Sequence, residues 1–233
     1  MTTKIFKKME ELNNSLLLQE KTLPNVLEKL KEISSNCKRK FDESVDIVIG
    51  LNINLKKDQQ GIRGSCVLPH GTGKKIKLAV FAEGKEADLA KECGADIVGG
   101  EELIIKIKNG DEKLDVSKCV ATPSMMAKLK QISSILGKRG LMPNPKDGTI
   151  TDNISSVVTG IKKGIVFFHN DKFGYIHASV GKVSFSQNQL EENIKELIST
   201  IMKFQKNTKG LFLKKIYLST TMGISLPLDV NYF

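Results

Sequence analysis

Apolar and polar residues alternate in two different grammars along this chain, and the switch between them organises everything else. From Leu23 to Asn36, Val26, Leu27, Leu30 and Ile33 recur at helical spacing, with Thr22 as N-cap and Pro24 in the first turn. Ser44–Ile53 alternates apolar with polar, as a strand with one buried face does. Asn54–Gly64 is charged and reads as a loop, and Ser65–Leu68 as a short strand ended by Pro69-His-Gly-Thr-Gly73. The opening, Ile5–Glu20, is polar and helix-prone with no strong face.

After Gly73 the pattern changes. Ile76–Ala82 is a continuous apolar run, the mark of a strand covered on both faces. Gly84–Cys93 reads as a helix, Ala95–Val98 as a strand, Glu101–Lys108 as a helix, Cys119–Ala121 as a strand and Pro123–Leu136 as a helix. Short strands alternating with helices predict a parallel sheet with helices on its faces. Gly137–Gly148 holds three Gly and two Pro and reads as an irregular loop, and Ile150–Lys163 as a helix leading back out. Ile165–His169 and Tyr175–Val183 then predict a hairpin around Asn170–Gly174, followed by a long helix over Gln187–Lys206, a strand over Leu211–Leu218 and an edge strand over Leu226–Val230.

Neither end can complete a sheet alone. The chain therefore predicts two domains: a split α+β domain from residues 1–71 and 160–233, and an inserted α/β domain over 72–159. Glycines at both crossings, Gly71 and Gly160, would permit a hinge.

Charge gives this architecture a direction. There are 36 Lys and Arg against 26 Asp and Glu, for +10 and a pI near 9.3. Residues 1–71 carry 12 basic and 9 acidic groups, a net +3. Residues 72–159 carry 14 and 12, a net +2, and residues 160–233 carry 10 and 5, a net +5. The surplus suits a polyanionic partner, and the split domain is the electrostatic footprint. Cys37, Cys66, Cys93 and Cys119 form no C-x-x-C pair and read as reduced, packed thiols. No stretch has the apolar length of a membrane span, and the first residues lack the apolar core of a signal peptide, so a cytosolic protein is expected.

Catalytic and cofactor motifs fail one by one. Gly71-Thr-Gly-Lys74-Lys75 departs from a phosphate-binding loop at both ends, since Leu68 stands where Gly is needed and Lys75 where Ser or Thr is needed. Gly94–Gly100 lacks G-x-G-x-x-G, so no dinucleotide fingerprint follows. His70, His169 and His177 have no Cys or His at metal-ligand spacing. The expectation is a protein that is not an enzyme and takes neither cofactor nor metal. A nucleotide-using enzyme built on the middle domain is the rival reading.

The RNA-directed candidates are better. Lys38-Arg-Lys-Phe41 sets cations beside an aromatic, which suits phosphate and base or ribose contacts as well as a solvated helix end. His169, Asp171, Lys172, His177 and Lys182 gather polar groups around one hairpin. Ser219-Thr220-Thr221-Met222-Gly223 brings hydroxyls, a thioether and a glycine to a strand end, where a ribose could be met closely.

Taken together the residues resemble the L-one ribosomal proteins of the large subunit, in their bacterial form. The resemblance runs through Phe41–Val45, Ile62–Gly64, Leu68–Lys74, Gly94–Glu102, Ala121–Pro123, Gly137–Lys146, Asp171–Gly174, Ile176-His177, Gly181–Phe185 and Thr220–Gly223. It implies the same two domains, the split α+β one ferredoxin-like (split βαβ) and the inserted α/β one Rossmann-like, a structural role on the mobile stalk of large-subunit rRNA near the tRNA exit site, and help in releasing deacylated tRNA. It further implies repression of the protein's own mRNA and a monomer off the ribosome. A free RNA-binding translational regulator is the alternative. The family's central contact carries over to Thr221, Met222 and Gly223, with Thr220, Phe41, Lys40 and Ser44 beside them, and its hairpin to Lys172 and His177. Three positions depart: Ile224 where Pro is usual, Lys138 where Pro is common, and His169 where a basic residue, often Arg, is usual.

Overall fold

A computed structural model describes residues 22–36, 39–52, 62–109, 115–204 and 212–232. The expected helix over Ile5–Glu20, most of the Asn54–Gly64 loop, and Cys37 and Lys38 lie outside them. The described residues form two compact units. One combines residues up to Gly73 with those from Val166 onward, and the other is Lys74–Ile165.

In the first unit, helix α1 (Leu23–Asn36) buries Leu23, Val26, Leu27, Leu30 and Ile33 on one stripe. Its first turn is closed by the Val26 N–H donating to the Thr22 carbonyl at 3.1 Å. Strand β1 (Ser44–Leu51) buries Val45, Ile47, Ile49 and Leu51 in the same core and turns Ser44, Asp46 and Val48 the other way. It is followed by β2 (Arg63–Val67), which carries the buried Cys66.

The second unit begins with β3 (Leu78–Phe81), all four residues of which are buried. Helix α2 (Lys85–Glu92), β4 (Ile97–Gly99), α3 (Glu101–Asn109) and β5 (Lys118–Ala121) follow. The strands form a parallel sheet in the order β4-β3-β5. Ala79, Phe81, Cys119 and Ala121 face a core made with Leu103, Ile104, Ile107, Met125 and Leu129. The helix expected over Pro123–Leu136 is interrupted: α4 (Pro123–Leu129) passes through a 3-10 turn at Lys130–Ile132 into α5 (Ser133–Lys138). Helix α6 (Ile154–Lys163) packs on α2 and β5 and ends at Gly164 in a left-handed conformation, φ 111°. This corrects the expected crossing. Gly160, expected at the crossing, lies inside α6, and the first unit resumes only at Val166.

The chain then returns to the first unit. Strands β6 (Ile165–His169) and β7 (Tyr175–Lys182) are joined by the expected turn, but they do not form an extended hairpin ladder. A single bridge links Asn170 to Ile176; β6 pairs with β2, and β7 with β1. Helix α7 (Gln187–Met202) starts with a capping box in which Ser186 and Gln189 exchange hydrogen bonds, and it buries Leu190, Ile194, Leu197, Ile198 and Ile201. Strand β8 (Leu213–Thr220) and edge strand β9 (Leu226–Leu228) complete a four-stranded antiparallel sheet, β7-β1-β8-β9. The N-terminal strand β1 thus sits between β7 and β8, which α7 connects. Among the described residues the helices lie on one face, where Ile47, Ile176 and Leu218 supply the apolar surface they pack against.

Candidate nucleic-acid interface

The antiparallel register brings distant candidates together at one end of the sheet. Val45 pairs with Thr220, and Ser44 with Lys182. Beyond the last pair, the Thr221 N–H donates to the Ser44 carbonyl at 3.1 Å, while the Ser44 N–H donates to Thr221 Oγ1 at 3.0 Å. Thr221 therefore spends its side chain on continuing the ladder past the strand end. The Gly223 N–H donates back to the Thr220 carbonyl at 3.2 Å, closing a tight turn whose tip is Met222. A Cβ on Gly223 would overlap Thr220 Oγ1. That hydroxyl is buried and has no hydrogen-bond partner among the described residues.

Met222 is 56% exposed and Phe41 54%, so two large apolar side chains stand in solvent, one in the turn after β8 and one in the segment leading into β1. Lys40 is exposed next to Phe41. The segment that carries them is fixed from below. Glu43, 3% exposed, pairs with Arg39 at 3.2 Å and accepts from Ser34 Oγ at 3.4 Å, tying the segment to α1. Asp42 accepts from the Ser184 hydroxyl at 2.8 Å, and its carbonyl accepts from Lys182 Nζ at 3.2 Å. A buried carboxylate without its cation would be costly, so Glu43 and Arg39 hold each other and the loop in register.

Lys172 and His177 do not join this cluster. The Gly50–Tyr175 pair stands six residues along β1 from Ser44, about 20 Å at strand rise, and Lys172 lies in the turn beyond it. His177 faces outward opposite Val48, midway along the sheet. Lys182, read from the sequence as part of the hairpin group, stands instead at the Thr221 end. In the turn itself, Asp171 Oδ1 accepts the N–H of Phe173 at 2.9 Å and of Tyr175 at 2.8 Å. The donated Tyr175 N–H, first among several such contacts, holds the Asp171 carboxyl below the usual carboxylate range.

Reading along the chain missed Glu43, Asp42 and Asn193. Asn193 is wholly buried on α7, donates to the carbonyls of Gly71 at 3.0 Å and Val180 at 2.8 Å, and accepts the His70 N–H at 3.1 Å. Its signal was present, since an amide stands in the apolar register of Leu190, Ile194 and Leu197. Among the described residues no group of three or more His, Cys, Asp or Glu could hold a metal ion, and no helix is long and apolar enough to cross a membrane.

A sequence model of the "Ribosomal protein L1p/L10e family" matches residues 30–224, spanning both units and ending just past Gly223. The chain belongs to the ribosomal protein L1p/L10e family. It is accordingly a ribosomal protein and not an enzyme. Among its family relatives, the large ribosomal subunit protein uL1 of Pseudoalteromonas atlantica is 47% identical over 201 residues, covering 86% of this chain and 84% of the relative. That of Pasteurella multocida is 48% identical over 191 residues, 82% of each chain. The uL1 of Vibrio vulnificus is 43% identical over 228 residues, 97% of this chain and 96% of its own.

Proposed function

We propose that this L1-family chain is a structural, cytoplasmic component of the large ribosomal subunit. It binds the mobile stalk of large-subunit rRNA near the tRNA exit site, through the end of the sheet where β1 meets β8. The observation that carries the reading is the hydrogen-bonded turn at Thr220–Gly223, which exposes Met222 at the end of the sheet to which Phe41 and Lys40 also lead. A preformed surface loses little conformational entropy on binding, so apolar contact and shape set the register on folded RNA. Lys40 and neighbouring cations add attraction that does not depend on sequence. Lys172 and His177, on the open face and its far rim, belong to the same footprint but contact a separate stretch of backbone.

We further infer that the split unit alone holds the rRNA site, and that the nearly neutral inserted unit serves tRNA, helping deacylated tRNA to leave. The same surface, given an mRNA fold of similar shape, represses translation of the protein's own message. Met222→Asp is the direct test, since it alters a side chain exposed at the tip of the turn. In filter binding to a stalk rRNA transcript the variant is expected to lose affinity at least tenfold with an unchanged melting temperature. Equal affinities for variant and parent would overturn the site assignment.

A further inference from the structure

The described helices lie on one face of the β7-β1-β8-β9 sheet, and the other face carries a second kind of chemistry that the strand-end turn does not use. Register places its side chains in rows. Tyr175, Gly50 and Lys215 stand side by side, then His177, Val48 and Tyr217, then Ser179, Asp46 and Ser219. The row at the rim continues into the turn, where Phe173 is 82% exposed, the highest value among the large hydrophobic side chains described. An aromatic ring left in water at the tip of a floppy loop would mean little. This tip is instead fixed by the Asp171 carboxylate on two backbone N–H groups, by the Gly174 N–H on the Asp171 carbonyl at 3.2 Å, and by the Leu51 N–H on the Gly174 carbonyl at 2.9 Å.

Tyr175 is displayed by a related device. Gly50 lies opposite it, and a Cβ there would come within 3.0 Å of the Tyr175 ring, so the missing side chain lets the ring lie across the neighbouring strand. The result is two aromatic rings, Phe173 and Tyr175, in sequence along one rim. Lys172 and Lys215 are exposed beside them, and His177 follows behind. The acidic group of the turn, Asp171, has its carboxylate committed to the turn's own N–H groups, 3.9 Å from His177. Aromatic faces interleaved with cations are what single-stranded nucleic acid needs: the rings stack on bases of any identity, and the cations track the backbone.

We propose that Phe173 and Tyr175 form a base-stacking platform for unpaired nucleotides, with Lys172 and Lys215 on the flanking phosphates, about 20 Å from the Thr220–Gly223 turn. The proposal rests on the RNA-binding reading above and deepens it. The turn grips folded RNA by shape, and the far rim takes hold of a loop or bulge whose bases are splayed out. One protein surface thereby reads two features of the same RNA, and the spacing between them discriminates against RNAs that present only one.

The chain contains no tryptophan, so Phe173→Trp creates a single fluorescent reporter at the tip. The full chain carrying this change is titrated with a stalk rRNA transcript, with a single-stranded RNA of about ten nucleotides, and with a blunt RNA duplex. Stacking predicts quenching and a shifted emission with the transcript and the single strand, and little change with the duplex. In parallel, Phe173→Ala is expected to weaken binding of the transcript about 5- to 150-fold, the range for losing one stacked base, while Phe173→Tyr retains it. Phe173→Leu keeps the apolar bulk and is expected to behave like the alanine variant. Silent emission with full affinity for every Phe173 variant would refute the platform while leaving the strand-end site intact. If the parent chain binds no transcript and Met222→Asp changes nothing, it is the RNA-binding reading itself that fails. Emission that responds to assembled large subunits but not to naked transcript would mean that the tip docks on protein, which also overturns the proposal.

Discussion

Gly223→Ala tests whether the geometry of the strand end is understood. Gly223 has no unusual backbone angle to defend, so the substitution costs nothing through conformation, and restricting the unfolded chain contributes about 0.4–1 kcal/mol in its favour. Against this stands the overlap of the new methyl with the buried Thr220 hydroxyl, which is hemmed in at the end of β8. Relief requires either a Thr220 side chain forced off its rotamer, at about 0.5–1.5 kcal/mol, or a displaced turn, at about 1–3 kcal/mol. The expected net change therefore runs from near zero, where the Thr220 side chain yields, to a loss of about 2.5 kcal/mol, several degrees in the melting temperature, where the turn yields. Displacement of Met222 adds a loss of RNA affinity that calorimetric titration with the stalk transcript will detect. The decisive measurement is a double-mutant cycle with Thr220→Ala. Removing the hydroxyl opens the space the methyl needs, so the two changes are expected to couple by about 0.5–3 kcal/mol. Strictly additive effects would show that the contact with Thr220 is not what excludes a side chain at position 223.

Other consequences are simpler to check. The logarithm of affinity for stalk RNA is expected to fall linearly with the logarithm of salt, by about 0.7–0.9 per phosphate contacted, and a flat titration would remove the electrostatic part of the mechanism. Because the folded state holds the Asp171 carboxyl below its ordinary 3.8, the turn gains stability that is present above that pH and lost as pH falls through the lower folded value. Amide exchange at Phe173 and Tyr175, followed by NMR, is expected to quicken only in that acid range, and loosening at neutral pH would contradict it. Burial pushes the Cys119 thiol up to about 12, so it is expected to resist alkylation at pH 8 in the folded protein; rapid labelling there would show that β5 is more open than its packing implies. Asn193→Ala strands the His70 N–H and the carbonyls of Gly71 and Val180, and a cost of about 2–4 kcal/mol is expected by chemical denaturation, with unchanged stability as the refuting result.

What the sequence determined by itself was everything that local pattern and composition can encode. The stripe of Leu23, Val26, Leu27, Leu30 and Ile33 is a helix wherever it packs, and Leu78–Phe81 is a strand that must be covered on both sides. The Asp and Gly of Asp171–Gly174 make a turn through their own chemistry, and the surplus of Lys and Arg points to a polyanion before any coordinate is known. The crossover to the parallel sheet was also legible, because alternation gives way to a continuous apolar run at a definite place.

Only the tertiary structure decided which of these pieces share a surface. Ser44 and Thr221 are 177 residues apart and exchange hydrogen bonds because β1 is the strand that fits between β7 and β8. The partners of a strand depend on register with distant segments, which no local period specifies. The same register separated Lys172 from the Thr221 end, moved Lys182 to it, and sent β6 to β2 although the turn alone predicted a hairpin with β7. Packing across the chain also placed Asp42 against Ser184, 142 residues away, and Asn193 beneath Gly71 and Val180. Local sequence sets what each segment can become, and long-range packing, which trades chain entropy for buried area, selects the neighbours that turn scattered residues into a site.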